Sequence, residues 1–463
     1  MENDFFYSLG EAAEKLVSSK GIIRIISHND CDGITAAAIL VKALKRLEMS
    51  FVVSFVKNLT NDVIKELSYE SYENVVFLDL GSSSLEYIGN LLKDRNVFVF
   101  DHHHFIETGF NGIFINPLAF NVDGETGISA AGISYLLAKT IDTENIDSAY
   151  LAIIGAVGDM QENKGFSGLN RLILEDSLSH IEIKTGLRLF GYQTRPLHKI
   201  LEYSTEIFIP GVTGDEKGSI SFLQNLDIPL QDKLGKYRKL SNLTSDEIKR
   251  LVGGIILERM KDEKSDPEDV LGNIYLLKNE KEDGIYKDLR EFSTLLNACA
   301  RLNKASIGLG VCLNDSQSKE QANEVLANYK IEIINSLNWF HKNRKTGRII
   351  ELENLTIINA EEYIKDTLIG TTASILSKSN IYKSGTIIIA MAHTVDGFTK
   401  ISARISGNGK EISLRNILQD VIKIVGGQTG GHENAAGAVI SQEKDDQFIT
   451  EVKNYLGKIE QVA

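Results

Sequence analysis

The chain has 463 residues, 43% hydrophobic and 24% charged, with three cysteines and a formal net charge of −13 at pH 7. That length accommodates two or three domains with sizeable cores, and the composition excludes a disordered chain. It also excludes a surface coated in positive charge for duplex DNA, although metal-binding acids would inflate the negative count and bound cations would reverse the local sign.

The first stretch, MENDFFYSLGEAAEKL, is too acidic and polar for a signal peptide. No apolar run approaches the roughly 18 residues that span a bilayer, so a cytoplasmic protein with no membrane partner is expected. Cys31, Cys299 and Cys312 show no CxxC spacing. Neither a disulfide framework nor a zinc knuckle follows, and Cys31 reads as a packed thiol.

Up to about residue 160, short β-branched runs alternate with helical patterns, which predicts a parallel sheet wrapped by helices. The expected strands are 21–27, 51–56, 74–80 and 96–101, with helices over 33–47, 129–141 and 148–160. Polar clusters follow several of these runs. In "HNDCDG", His28, Asp30 and Asp32 alternate, so an extended chain would turn all three to one face. Asp79 ends "VVFLD", the "DHHH" of Asp101 to His104 follows "VFVF", and Asp159 ends "YLAIIGAVGD". In open α/β sheets ligands bind beyond the carboxyl ends of the strands, so these segments meet at one rim. Singly, each is consistent with a helix cap or a solvated side chain. Together, the carboxylates repel unless they are protonated or hold cations, and two divalent ions account for all of them. Aspartate and histidine without thiolate suit Mn²⁺ or Mg²⁺.

Between about 190 and 300 the character changes. Four of the five prolines fall here, beside helical segments and the charged stretch "KDEKSDPEDV", as in an inserted or linking module. After 300 an α/β pattern resumes, with "ASIGLGVCL", an amphipathic helix over 318–343, strands "TIIIAMAH" and "FTKISARIS", and a helix over 411–425 that ends in a glycine-rich turn. "GGQTGG" and His432 lack the Lys-Ser/Thr ending of a P-loop. A plain tight turn and a concave cradle of unsubstituted amides for an anion are both open. Trp339 and Phe340, beside the basic run "HKNRKTGR", read either as helix packing or as a surface on which bases stack.

"HNDCDG", "FLDLG", "DHHH" and "GAVGDM" resemble motifs I to IV of the DHH phosphoesterase superfamily, and "GGQTGGHENAAGAVI" (426–440) resembles the signature of its DHHA1 domain. The resemblance covers nearly the whole chain except its middle. It implies an α/β fold with a DHH catalytic domain over 1–190, a mostly helical insert over 191–300, a DHHA1 substrate-binding domain over 301–463, and a cleft between the first and last. It further implies that His28 and Asp30 bind one divalent ion, that Asp32, His102 and Asp159 bind the other, and that Asp79 bridges them. His103 would lie against the scissile phosphate, with Asp79 and His103 as the catalytic pair. Asp101 would orient His102 from behind, and His104 stays unassigned. Gly430, Gly431, His432 and Arg404 would contact the substrate.

Within the superfamily, family II pyrophosphatases are shorter and end in a basic motif. Small nanoRNA and dinucleotide phosphodiesterases typically lack the hundred or so residues of the middle module. The chain most resembles the RecJ-like single-strand exonucleases, and among them the archaeal GINS-associated type, which implies single-stranded DNA or RNA as substrate and a GINS-like replisome protein as partner of the insert. A scaffold without catalysis is the contrasting class. Every ligand position being occupied by Asp or His favours an enzyme.

Overall fold

A computed structural model describes residues 2–163, 165–204, 207–260, 270–379, 381–407 and 413–460. The chain divides into compact units Met1–Leu326 and Ala327–Ala463.

The first unit opens with α1 (Glu2–Ser18), β1 (Ile23–His28), α2 (Cys31–Arg46), β2 (Phe51–Val56), α3 (Asn61–Tyr69), β3 (Asn74–Leu78), α4 (Leu85–Leu91), β4 (Asn96–Phe100) and β5 (Ile113–Ile115). The strands form an all-parallel sheet in the order β2-β1-β3-β4-β5. β3 and β4 are almost continuous runs of apolar residues, and with β1, which carries three isoleucines, they are buried along nearly their whole length, as strands covered on both faces must be. Helices α5 (Ala130–Ile141), α6 (Ala149–Gly158) and α7 (Gly168–Asp176) follow. From β1 the chain crosses to β2 on one side and then to β3 on the other. The connections after β1 and β3 therefore diverge and leave a crevice at the strands' carboxyl ends.

An antiparallel ribbon of β6 (Ile181–Leu187) and β7 (Leu271–Leu277) carries the chain out to the middle module and back. Beyond it, α8 (Leu197–Glu202), α9 (Glu216–Asn225) and α10 (Ser245–Arg259) close over their own core of Leu197, Ile200, Leu223, Leu251 and Ile255. α10 begins at a reciprocal capping box between Thr244 and Glu247. Residues 261–269 of the charged stretch lie outside the described residues. The chain then returns to the first domain, where α11 (Leu289–Arg301) packs on α6 and α2, followed by α12 (Ala305–Cys312) and the long α13 (Ser316–Asn343), within which the second unit begins.

The second unit adds β8 (Ile349–Glu351), β9 (Leu355–Asn359), α14 (Asp366–Lys378), β10 (Ile387–His393), β11 (Phe398–Ile405), α15 (Leu414–Val425), β12 (Gln428–His432), β13 (Ala435–Ser441) and α16 (Asp445–Glu460). Its sheet runs β12-β13-β11-β10-β9-β8, parallel at β9–β10 and antiparallel elsewhere. α15 buries Leu414, Ile417, Leu418, Val421 and Val425, one face of a 3.6-residue repeat.

The glycine-rich segment differs from expectation. The turn takes Gly426 and Gly427, at φ 83° and 135°; Gln428 to His432 then pair with β13 as an edge strand, in which Gly431 also has positive φ, at 116°. The Trp339–Phe340 pair splits as well. Phe340 is fully buried, whereas half-buried Trp339 stacks on Tyr363 with ring centres 5.9 Å apart. Among the described residues no helix is long and apolar enough to cross a membrane.

Candidate metal centre

The first cluster forms where β1 gives way to α2. Asp30, in extended backbone, caps α2 by accepting the Gly33 amide at 2.9 Å, the cap expected of an Asp at this place. Its other oxygen lies 2.8 Å from His28 Nδ1. Gly33 permits this tight entry, because a Cβ there would stand 2.2 Å from the His28 carbonyl oxygen. Extended alternation brings His28 and Asp30 together, but by Asp32 the chain is already helical. Asp32 therefore points elsewhere and is wholly buried. Its carboxylate accepts the Ala130 and Ala131 amides at the start of α5, at 2.7 and 3.1 Å. Gly155 on α6 leaves room for it, since a Cβ there would meet Asp32 Oδ1 at 2.5 Å.

Asp79 follows β3 in the left-handed region, at φ 61°, a conformation Asp tolerates better than most residues. The kink turns its buried carboxylate into the crevice. Oδ2 lies 3.1 Å from His28 Nδ1, and Oδ1 lies 3.3 Å from His102 Nε2. His102 Nε2 is also 3.3 Å from Asp159 Oδ2 and 4.0 Å from Asp32 Oδ2. Three groups of candidate ligand atoms result: His28, Asp30 and Asp79; Asp32, His102 and Asp159; and Asp79, His102 and His103.

The electrostatics follow from this crowding. Burial disfavours the Asp79 carboxylate, yet the imidazoles of His102 and His28 outweigh it and hold its pKa well below the ordinary range. Burial and then the neighbouring charges of Asp159 and Asp79 push Asp32 well up. Asp159 is raised by burial and by Asp79 and Asp30, against the pull of His102. Burial works against charge on His28 and His102 too, but their carboxylate partners raise both well above the usual value.

His102 Nε2 and Asp79 Oδ1 are buried and neither has a hydrogen-bond partner. Buried polar atoms are normally hydrogen-bonded, so these two, 3.3 Å apart without a hydrogen bond and set among Asp30, Asp32 and Asp159, mark a place for a cation. The donor set of carboxylate oxygens and imidazole nitrogens, with no thiolate, fits Mn²⁺ or Mg²⁺. Cys31, although adjacent, is 1% exposed and its thiol faces the Ile154 carbonyl.

Asp101 departs from expectation. Its Oδ1 accepts from His103 Nδ1 at 2.7 Å and from the His102 and His103 amides, and its Oδ2 accepts the Ser82 amide. It orients the ring of His103, not that of His102, because its short side chain reaches the ring two residues on. The His102 ring is held instead by the Gly124 carbonyl, 2.6 Å from Nδ1. His103 is half exposed, and burial lowers its pKa less than Asp101 raises it. His104 is exposed.

Several supporting residues carry no motif. Asn297 on α11 accepts the Cys31 amide at 3.1 Å, and Asn29 donates to the Ala300 carbonyl, so the returning helix buttresses the first cluster. Asn116 donates to the His103 carbonyl at 2.8 Å. In the second unit, described by itself, Gly430 and Gly431 lie exposed on edge strand β12. The side chain of His432 lies outside the described residues. On β11, Arg404 donates to Ser374 Oγ at 2.9 Å and to the Ala403 carbonyl at 2.8 Å.

Residues 22–156 match the model of the DHH family, N-terminal domain. The uncharacterized protein MJ0831 of Methanocaldococcus jannaschii is 30% identical over 457 residues, covering 96% of this chain and 95% of its own. The chain belongs to the DHH family. Two further models fit this DHH-family chain, the DHH-CID domain over residues 189–269 and the DHHA1 domain over 354–458. Manganese-bound RecJ of Thermus thermophilus superposes with a TM-score of 0.60 at 17% identity, over 98% of this chain and 55% of that one. The chain thus spans about half the length of that RecJ. CDC45 of Entamoeba histolytica superposes with a TM-score of 0.66 at 13% identity, over 96% and 98% of the two chains. At these identities the likeness is one of fold.

Proposed function

We propose that this DHH-family chain is a metal-dependent, single-strand-specific exonuclease that hydrolyses phosphodiester bonds in DNA or RNA. In this reading His28 and Asp30 hold one divalent cation, Asp32, His102 and Asp159 hold a second, and Asp79 serves both. The observation that carries it is the buried pair of His102 Nε2 and Asp79 Oδ1, 3.3 Å apart with no hydrogen bond made and ringed by acids. A paired-cation site, when loaded, supplies Lewis-acid stabilisation of phosphoryl charge and a nucleophile from water at neutral pH.

The chain's own residues do the rest. Asp101 accepts a hydrogen bond from Nδ1 of His103 and so orients the ring; in the doubly protonated form Nε2 is the nitrogen free to donate to a phosphate oxygen. Against the effect of burial, the Asp101 carboxylate raises the pKa of that imidazole, which favours its charged form. Arg404, Gly430, Gly431 and His432 are proposed to bind the substrate backbone. The Trp339–Tyr363 stack, with the Arg348 guanidinium 4.7 Å from the Tyr363 ring centre, supports a path on which unpaired bases stack. The module over 189–269 is proposed as the contact for a GINS-like replisome protein, with exposed Tyr203, Phe208, Leu234 and Leu257 on its surface.

The test is incubation of end-labelled single-stranded DNA and RNA with Mn²⁺, alongside duplex, pyrophosphate and a dinucleotide. Stepwise shortening of single strands that EDTA stops is expected. Turnover of only the dinucleotide or pyrophosphate would assign the chain to the small-substrate phosphoesterases, and no turnover at all would favour a scaffold.

A further inference from the structure

An imidazole can offer a lone pair to a cation only from the nitrogen that carries no proton, so the partner of the other nitrogen decides which one that is. In His102 that partner is the Gly124 carbonyl, 2.6 Å from Nδ1, which can only accept. Nδ1 must therefore donate, and Nε2 is left facing Asp79 and Asp159, each 3.3 Å away.

Gly124 belongs to an irregular stretch before α5, and something must hold its carbonyl in place. It accepts a second hydrogen bond, from Gln161 Nε2 at 3.1 Å, and the same amide nitrogen reaches the Ile128 carbonyl at 3.4 Å. Gln161 is held in turn, its oxygen accepting from Asn170 Nδ2 at 2.6 Å. Asn170, on α7, ties back to the same stretch through its amide to the Gly127 carbonyl at 2.8 Å and through Nδ2 to the Thr126 carbonyl at 3.3 Å. Gln161 and Asn170 are 2% and 0% exposed. Carboxamides this deep are costly to bury unless bonded; Gln161 uses both ends and Asn170 its Nδ2, with Asn170 Oδ1 left without a hydrogen-bond partner, and the bonds made lead to the carbonyl that fixes His102.

We infer that Gln161, backed by Asn170, is a positioning residue that holds the Gly124 carbonyl and, through it, aims His102 Nε2 at the cation shared with Asp32 and Asp159. The inference rests on the two-cation reading of the site. It adds a selectivity to it, because the chain of bonds ends at His102 and leaves the His28–Asp30 side alone.

The experiment is Mn²⁺ titration of the full chain, with free Mn²⁺ read by electron paramagnetic resonance, for the wild type, Gln161→Met and Asn170→Ala. Methionine keeps the length of glutamine without its amide. In Gln161→Met the dissociation constant of one ion is expected to rise about 10–100-fold while that of the other stays within about twofold. Asn170→Ala, one bond further away, should weaken the same ion by less, and it decides the matter by the same criterion if Gln161→Met does not fold. Both ions weakening alike, or neither, overturns the inference; if the wild type nonetheless binds two ions, the site reading stands. A wild type that binds no Mn²⁺ removes both.

Discussion

At the rim of the five-stranded sheet, six Asp and His side chains from four segments are buried or half-buried and interlocked, and two of their buried atoms make no hydrogen bond. At the glycine-rich edge of the second unit, Gly430 and Gly431 are open to solvent and Arg404 is already engaged by Ser374 and its own strand. The first arrangement is organised before any ligand arrives, with strained backbone at Asp79 and strongly shifted ionisation; the second is a surface with donors to share. In the proposed reading, chemistry that depends on geometry within fractions of an ångström falls to the first region and substrate holding to the second.

Substitutions should separate the two. The largest effect is expected at Asp79. Asp79→Ala abolishes Mn²⁺-dependent hydrolysis, and so does Asp79→Asn, which keeps a residue suited to the left-handed backbone; far-UV circular dichroism stays unchanged, and the loss exceeds the roughly 10–100-fold typical of an outer-shell change. Retained activity in Asp79→Asn would remove the bridging role. Next comes Asp101→Asn, expected to lower kcat about 10–100-fold with Mn²⁺ affinity unaltered, because Asp101 holds the ring of His103 and not that of His102. Weakened Mn²⁺ binding there would restore the simpler picture of Asp101 standing behind a ligand. Arg404→Ala should raise KM about tenfold with kcat little changed, the size of one charge-assisted hydrogen bond. A fall in kcat alone would move Arg404 into the chemical machinery.

The smallest effect concerns neither region and serves as a control. Hydrogen bonds from Arg238 hold Glu247 down at about 2, below its unfolded value of about 4.3. A depressed carboxylate contributes stability that is complete above the unfolded pKa and lost as pH falls through the folded one. Arg238→Ala should therefore cost about 1–2 kcal/mol at pH 7, by chemical denaturation, and almost nothing near pH 2. Hydrolysis of single strands should be unaffected.

Much of the rim was legible in the sequence because strand ends are conspicuous and Asp and His are few among apolar runs. His28, Asp79 and His102 announce themselves in this way, and Asp159 does so at the end of the apolar helix α6. Asp32 was legible as a ligand candidate but not as the acceptor of the α5 amides, since nothing in "HNDCDG" says that a helix about a hundred residues later starts against it. Gly124, Gln161, Asn170 and Asn297 left no signal at all: they are ordinary polar residues whose value lies in which buried carbonyl or amide they meet. The edge strand at Gln428 was hidden for a different reason. Glycines usually report turns, and only the partner strand, with its own small residues Ala435, Ala436 and Gly437, shows that the chain runs on.

Diffraction at the manganese absorption edge, from crystals grown with Mn²⁺, tests the paired-cation site most directly. The expected anomalous map has two peaks, one against His28, Asp30 and Asp79 and one against Asp32, His102, Asp159 and Asp79. A single peak away from these side chains, or none in crystals shown to contain manganese, would contradict it.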